Sequence, residues 1–299
     1  MTATAPAPTS SPRKLPPLPS TARRRAVNLL MHGVLGATMA ATVAVLIWVL
    51  FYVAAQGLRY LGPEFLTQTP PGNPSSPGGG FLNGIIGSLI TTGIATALSV
   101  PVAVSAAIYL VEYGGRLASI TRFLTDVLVG IPTIVTGALV YAVWVVFFGF
   151  SGIAGGIALG LIMLPLVIRS TEEMLRLVPH ELREASLALG VTKARTIVSV
   201  VLPTASSGII TGIMLAVARA MGETAPLLLT ALGNDLFIET NPDKRMSTLS
   251  LQIFGNAITG FKAAQARAWA GALTLVAIVL LLTVAARLIA RRSAVISKR

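Results

Sequence analysis

The amino-acid sequence predicts an all-α, polytopic membrane protein with six transmembrane helices. Three observations predict it. The chain is 54% hydrophobic, yet only 11% of its 299 residues are charged, against roughly a quarter in an average soluble domain. Its apolar residues gather into long runs that could each cover the ~30 Å hydrocarbon layer, which takes about 20 residues as a helix. Those runs are too continuously apolar for the alternation of a membrane β-barrel, and within lipid each must satisfy its own backbone hydrogen bonds. The same numbers argue against a soluble enzyme. They also argue against a nucleic-acid binder, despite a net charge of +12, because no aromatic-interleaved basic face accompanies the charge.

The elements follow in order. Residues 1–25 are rich in proline and end in the basic cluster Arg23, Arg24 and Arg25, which reads as a disordered cytoplasmic tail. The apolar run after it is too long for a signal-peptide core and is read as an uncleaved first span, Leu29 to Ala55. Residues 26–80 combine that span with an external loop. The stretch Gly57 to Gly80, containing PPGNPSSPGGG, is expected to be flexible. Residues 81–290 hold the remaining five spans: Phe81 to Leu110, Phe123 to Phe148, Gly152 to Ile168, Thr204 to Leu232 and Ala268 to Ile289. Pro101 and Pro132 fall inside spans and are expected to kink or break them. Residues 291–299 form a C-terminal tail. The GxxxG-type spacings Gly152/Gly156/Gly160 and Gly208/Gly212 suit close helix contact, with ordinary intrachain packing as the plain reading.

Charge orients the chain. With the N-terminus inside, the outer segments hold only Arg59, Lys244, Arg245, Lys262 and Arg267. Apart from Arg219, all other basic residues fall on the inner side. The positive-inside bias therefore predicts both termini in the cytoplasm.

Several chemistries are excluded. With no cysteine there are no disulfides, thiolate metal sites or thiol nucleophiles. His32 and His180 lie far apart in the chain, which disfavours a bis-histidine metal or haem site, and no metal or other cofactor is expected. No P-loop, GxSxG or HExxH occurs. The chain should perform no catalysis, and any uphill transport must draw energy from a partner or an ion gradient.

Two stretches carry functional signals. The first is the internal loop Thr171 to Pro203. Pro179 suits a helix start, and Glu181 and Glu184 favour the N-terminal dipole. Leu182, Ala185, Ser186 and Leu189 form a narrow apolar face, Gly190 supplies a left-handed stop, and Thr192 can cap a return helix running to Pro203. Such a helix fits a groove in a soluble partner, or it lies on the membrane surface as an amphipathic connector. The second stretch is ITGIMLAVARAMGETAPLLLTAL in the fifth span. There Arg219 and Glu223, four residues apart, share a helix face. Charges in a span are costly, so the pair either fixes packing or marks a pathway, where an arginine fork suits an oxyanion. Gly222 and Thr224 lie beside the pair, and Pro226 can break the helix. Asp126 and Glu112, near span ends, are read as dipole-compensating or interfacial charges. Ser247 to Ala257 reads as a short helix on the outer face or a re-entrant segment.

These stretches resemble a known family. Glu184, Ala185 and Ser186, then Gly190, Val200, Leu202 and Pro203 are similar to the EAA loop of bacterial ABC importer permeases, with Ser186 in place of the second alanine. Ala218 to Pro226, AAIYLVEYG (106–114), VLVGIPTIVTG (127–137) and STLSLQIFGNA (247–257) resemble phosphate permeases of the PstA type more than their PstC-type sisters. The resemblance spans about Phe81 to Ile289. It implies a type I importer permease, an inner-membrane subunit forming half of a phosphate pathway. Its partners would be a sister PstC-like permease, a PstB-like ATP-binding dimer docked on the loop around Glu184 and Gly190, and a PstS-like extracytoplasmic phosphate-binding protein. It also implies that Arg219, Glu223 and Thr224 lie on the substrate pathway. Rival readings are a permease for molybdate or sulfate, a gradient-driven anion transporter or channel, and a membrane scaffold.

Overall fold

The computed structural model describes residues 21–296, with side chains described from 22 to 288. Most of the expected N-terminal tail therefore lies outside the described residues. The described residues fall into two compact units that part between Tyr52 and Val53. Helix α1, Thr21–Gly57, fills the described part of the first unit and continues a few residues into the second. Its 37 residues exceed the length that crosses ~30 Å of hydrocarbon. Arg23, Arg24 and Arg25 begin this helix.

The second unit is all-helical among the described residues. A short helix α2, Pro63–Thr67, sets Phe65 against Phe81 with ring centroids 5.1 Å apart. Then come α3, Leu82–Glu112, and α4, Gly115–Gly130. Helix α5, Thr133–Val140, passes through a π-helical turn at Tyr141–Val145 into the single turn α6, Val146–Phe148. Next are α7, Gly152–Arg176, and α8, His180–Ala188. Helix α9, Lys193–Thr196, runs through a π turn at Ile197–Val201 into α10, Leu202–Met221. Helices α11, Ala225–Thr230, α12, Leu249–Ala257, and α13, Lys262–Ile296, complete the chain. Five helical runs are long and apolar enough to cross a bilayer, and a bent pair can supply a sixth.

That bent pair is the break expected at Pro132 in the third span. Helix α4 and the run Thr133–Phe148 meet at 104°. Proline disfavours the α conformation in the residue before it, and Ile131 is extended (φ −75°, ψ 128°). The ring nitrogen of Pro132 has no proton to carry the helical ladder across. Pro101, by contrast, sits inside α3 without breaking it.

The core is built on small residues. Helices α3 and α7 pair most extensively, with Ala95, Ala103, Leu159, Met163 and Val167 buried among them. A Cβ on Gly156 would stand 2.5 Å from Ile94 Cγ2, so glycine sets this approach. Gly208 and Gly212 likewise bring α10 onto Met174 and Ser170 of α7. Ser151 starts α7 by accepting a hydrogen bond from the Ala154 amide at 3.1 Å.

Two further expectations are corrected. The return helix after Gly190 does not end at Pro203 but continues into α10, so Lys193 to Met221 is one span. The π turn makes this workable: the Leu202 amide reaches back five residues to the Ile197 carbonyl, which makes room for a proline lacking an N–H. The glycine- and proline-rich loop before α3 is latched rather than free. Buried Arg267 of α13 donates to the carbonyls of Pro74 (2.9 Å), Ser76 (2.7 Å) and Gly78 (3.3 Å). Helix α12 buries its first turn, Leu249 to Gln252, and exposes Phe254, Gly255 and Ala257 beyond it.

Candidate functional site

The charged residues of the fifth span sit at a break in the backbone. Helix α10 ends at Met221, and α11 starts at Ala225. Gly222, Glu223 and Thr224 bridge them, with the amides of Gly222 and Glu223 bonded to the carbonyls of Arg219 (3.1 Å) and Ala220 (3.2 Å). Pro226 has no N–H to offer the Gly222 carbonyl, which is the local reason a continuous helix is not recovered here. The Thr224 carbonyl instead accepts from the amides of Leu227 (3.1 Å) and Leu228 (3.2 Å), starting the short α11.

Arg219 lies in the last turn of α10. Its Nε is 3.6 Å from a Glu223 carboxylate oxygen, an ion pair without a direct hydrogen bond. The arginine side chain is 58% exposed and the glutamate 16%. Glu223 is therefore enclosed, while the guanidinium reaches outward. It borders an open groove of about 290 Å³, otherwise walled by apolar and threonine side chains including Ile131, Thr133, Thr136 and Pro165. The groove thus joins the two broken spans, one at Pro132 and the other at Gly222. They approach closely: a Cβ on Gly137 would stand 2.6 Å from the Pro226 Cα. A cation in an otherwise apolar groove, with most of its donors unspent, is suited to brief contact with an anion.

Helix α12 braces this break. The Ser250 hydroxyl donates to the Glu223 carbonyl at 2.9 Å. The Leu249 amide donates to Ser88 Oγ of α3 at 2.8 Å. Gln252 Nε2 donates to Asn83 Oδ1 at 2.9 Å and to Asp235 Oδ1 at 3.0 Å. A buried amide held this way fixes the depth of α12. Sequence reasoning missed Ser250, whose role depends on a contact 27 positions away.

The second candidate surface is α8 and the turn after it. Glu184 and Ala185 are exposed, as are Leu182 and Leu189, so Leu182 and Ala185 of α8 and Leu189 at its C-terminal cap present apolar side chains outward. Ser186 departs from the expected face. It is buried, and its hydroxyl bonds Thr196 Oγ1 at 2.8 Å, tying α8 to the return helix. Gly190 is left-handed (φ +79°) as expected, and its amide bonds the Leu187 carbonyl at 2.9 Å. Leu202 and Pro203 are half-buried and lie in α10, past the π turn. Thr192 occupies the N-cap position but makes no capping bond.

Sequence reasoning also missed what holds α8 in place. Glu112, read as an interfacial charge, has a side chain only 7% exposed and accepts from Arg183 Nε at 3.0 Å. Arg183 also donates to the carbonyls of Val178 (2.6 Å) and Leu175 (2.9 Å). Lys193 bonds the Glu112 carbonyl and lies 4.5 Å from the centre of the Tyr113 ring. Asp126 pairs with Arg169 of α7, and Glu172 accepts from both Arg122 and Arg176. The ion pairs among these join residues 43 to 71 positions apart, except the i,i+4 pair Glu172–Arg176. Only that pair was open to reading by helical spacing.

Residues 99–295 match the family of binding-protein-dependent transport system inner membrane components. Over 270 residues the chain is 44% identical to the phosphate transport system permease protein PstA of Yersinia pestis, covering 89% of this chain and 90% of that protein. It is 40% identical over 281 residues to the phosphate transport system permease protein PstA 1 of Mycobacterium tuberculosis H37Rv, covering 91% and 90%. Among solved structures, it aligns with a chain of the MetNI methionine ABC transporter in inward-facing conformations. The TM-score is 0.58 at 19% identity, over 71% of this chain and 95% of that one. At that identity the likeness is one of fold.

Proposed function

We propose that this chain, which belongs to the PstA-type permeases within the family of binding-protein-dependent transport system inner membrane components, forms half of the pathway of an ATP-driven phosphate importer. It is a multi-pass transport permease rather than an enzyme, and such permeases work with an ATPase and a binding protein. The finer assignment is a PstB-like ATPase dimer, a PstC-like sister permease and a PstS-like phosphate-binding protein. Both termini are assigned to the cytoplasm by the positive-inside bias, which puts the α8 end of the unit inside and α12 outside. The permease core is residues 81–290.

The observation that carries this reading is Arg219. Its exposed guanidinium stands at a broken span beside an apolar groove, with Glu223 close enough to orient it but not hydrogen-bonded to it. A tetrahedral oxyanion leaving the binding protein would meet a planar cationic fork of paired donors. The nearby carboxylate keeps the net charge low, so the anion is passed on rather than held. Thr224, at the head of α11, supplies a hydroxyl beside the same break. Phosphate, rather than molybdate or sulfate, is supported by the 44% identity to a phosphate permease.

Coupling is assigned to α8. Its exposed Leu182 and Ala185, with Leu189 at its C-terminal cap, fit a groove of the ATPase, flanked by Glu184 and closed by the turn at Gly190. When the ATPase subunits close on ATP, α8 moves with them. The return helix, continuous through Leu202 and Pro203 to Met221, carries that motion to Arg219 without an intervening hinge loop.

The test is uptake of labelled phosphate by the assembled complex in proteoliposomes. Arg219→Gln is expected to abolish uptake while all subunits still co-purify. Arg219→Lys, which keeps the charge and loses the fork, should retain a fraction. Undiminished uptake by Arg219→Gln would overturn the assignment.

A further inference from the structure

The basic cluster at the α8 end is not consumed by the transport reading. It surrounds a concavity of about 340 Å³ lined by Leu110, Val111, Arg122, Arg176, His180 and Arg183. Three arginines from α4, α7 and α8 thus meet one space. Their counter-charges are two carboxylates. Glu112 is taken up by half-buried Arg183. Glu172 is shared, and a single oxygen, Oε1, accepts from Arg122 Nε at 2.8 Å and from Arg176 Nη2 at 2.7 Å. One carboxylate between two guanidiniums leaves an excess positive charge at the mouth. Arg122 spends a further donor on the Leu110 carbonyl at 2.9 Å. Nη1 of both Arg122 and Arg176 is unspent among the described residues. His180 opens α8 and adds an imidazole to the same wall.

We infer that this concavity binds a phosphate-type oxyanion, separately from the pathway at Arg219. Two guanidinium edges with unspent donors, on different helices and sharing one counter-ion, are the arrangement that phosphate oxygens complete. The inference rests on the orientation proposed above, which places this end in the cytoplasm. Two sources carry the same chemistry there: inorganic phosphate on the release side, and the phosphate of an anionic lipid headgroup. In either case the ligand would bridge Arg122 of α4, Arg176 of α7 and His180 of α8. It would tie the coupling helix to the spans it must move against, and so slow turnover when the site is filled.

The test uses the assembled permease–ATPase complex without the binding protein, in nanodiscs and in an Arg219→Gln background, so that the pathway cation does not contribute. Equilibrium binding of labelled inorganic phosphate is measured in neutral phosphatidylcholine. Retention of phosphatidylglycerol is measured by native mass spectrometry in mixed discs. Arg176→Gln alters an exposed side chain whose one bonded partner is Glu172, so the complex should assemble. It is expected to weaken phosphate binding, or phosphatidylglycerol retention, by roughly ten- to a hundredfold, the scale of one lost charged hydrogen-bonding group. Arg122→Gln should do the same, while Arg116→Gln, outside the lining, should change neither. Loss of phosphate binding identifies the free ion, and loss of lipid retention identifies the headgroup. Equal binding and retention in all variants overturns the inference. So does weakened ATPase association with unchanged ligand retention, which would assign the arginines to an acidic segment of the partner. Normal phosphate uptake by Arg219→Gln would instead count against the transport assignment, and it is read independently.

Discussion

Arg183 of α8 and Glu112 at the end of α3 form an enclosed ion pair, 3.0 Å apart, with side chains only 12% and 7% exposed. It joins the proposed coupling helix directly to a span. A buried pair is not strongly stabilising in itself, because desolvation offsets the attraction. Removing one partner, however, leaves the other charge buried and alone, which costs on the order of 3–5 kcal/mol. Arg183→Gln should therefore lower the melting temperature of the complex and uncouple ATP hydrolysis from phosphate uptake. Adding Glu112→Gln should recover much of the stability but not the coupling. A double variant no more stable than Arg183→Gln alone would show that the pair does not anchor α8.

The turn after α8 makes a second prediction. Gly190 holds φ at +79° with nothing within 4 Å of a would-be Cβ, so space is not the constraint. The backbone conformation is: a β-branched residue there costs about 1–3 kcal/mol. Gly190→Val should reduce co-purification with the ATPase subunit and its stimulated hydrolysis, while Gly190→Asn, tolerant of the left-handed region, should be milder. Equal binding by the two variants would remove backbone strain as the cause.

How much of this was legible beforehand depended on distance along the chain. Pro132 and Pro226 announced their breaks because proline acts on its own helix. Gly190 announced its turn for the same local reason. The apolar runs announced, by length alone, the five helices that can cross a bilayer and the bent pair that can supply a sixth. The Arg183–Glu112 pair, 71 positions apart, left no such trace. Nor did Arg267, which holds a loop about 190 positions earlier and turns a stretch of flexible composition into a latched one. Pro203 misled in the opposite direction. It reads as a stop, but the π turn before it absorbs the missing hydrogen bond and lets the span continue.

The bond from Ser250 to the Glu223 carbonyl predicts that α12 tunes the pathway without touching the ATPase. Ser250→Ala removes one neutral hydrogen bond, worth about 1 kcal/mol, and leaves an acceptor at the break less restrained. Phosphate uptake should fall severalfold at unchanged ATPase association, and Ser250→Thr should restore most of it. Wild-type uptake by Ser250→Ala would show that the backbone at Glu223 is held by its own turn.

The groove beside Arg219 depends on how closely α5 approaches α11, and Gly137 sets that approach. A Cβ there would meet backbone, with Pro226 Cα at 2.6 Å and Pro226 O at 2.9 Å, so no flexible side chain can yield. Gly137→Ala must push the two broken spans apart, and Gly137→Val must push them further. The strain falls on the segment that holds Gly222 to Thr224, displacing Glu223 relative to Arg219 while α8, at the other end of the unit, is untouched. The expected phenotype is therefore graded: phosphate uptake decreases from glycine to alanine to valine, with ATPase docking retained throughout. Overpacking of this kind costs typically 1–3 kcal/mol, so a matching drop in melting temperature should accompany it. A stability loss with unchanged uptake per assembled complex would separate the packing role of Gly137 from any role in shaping the groove.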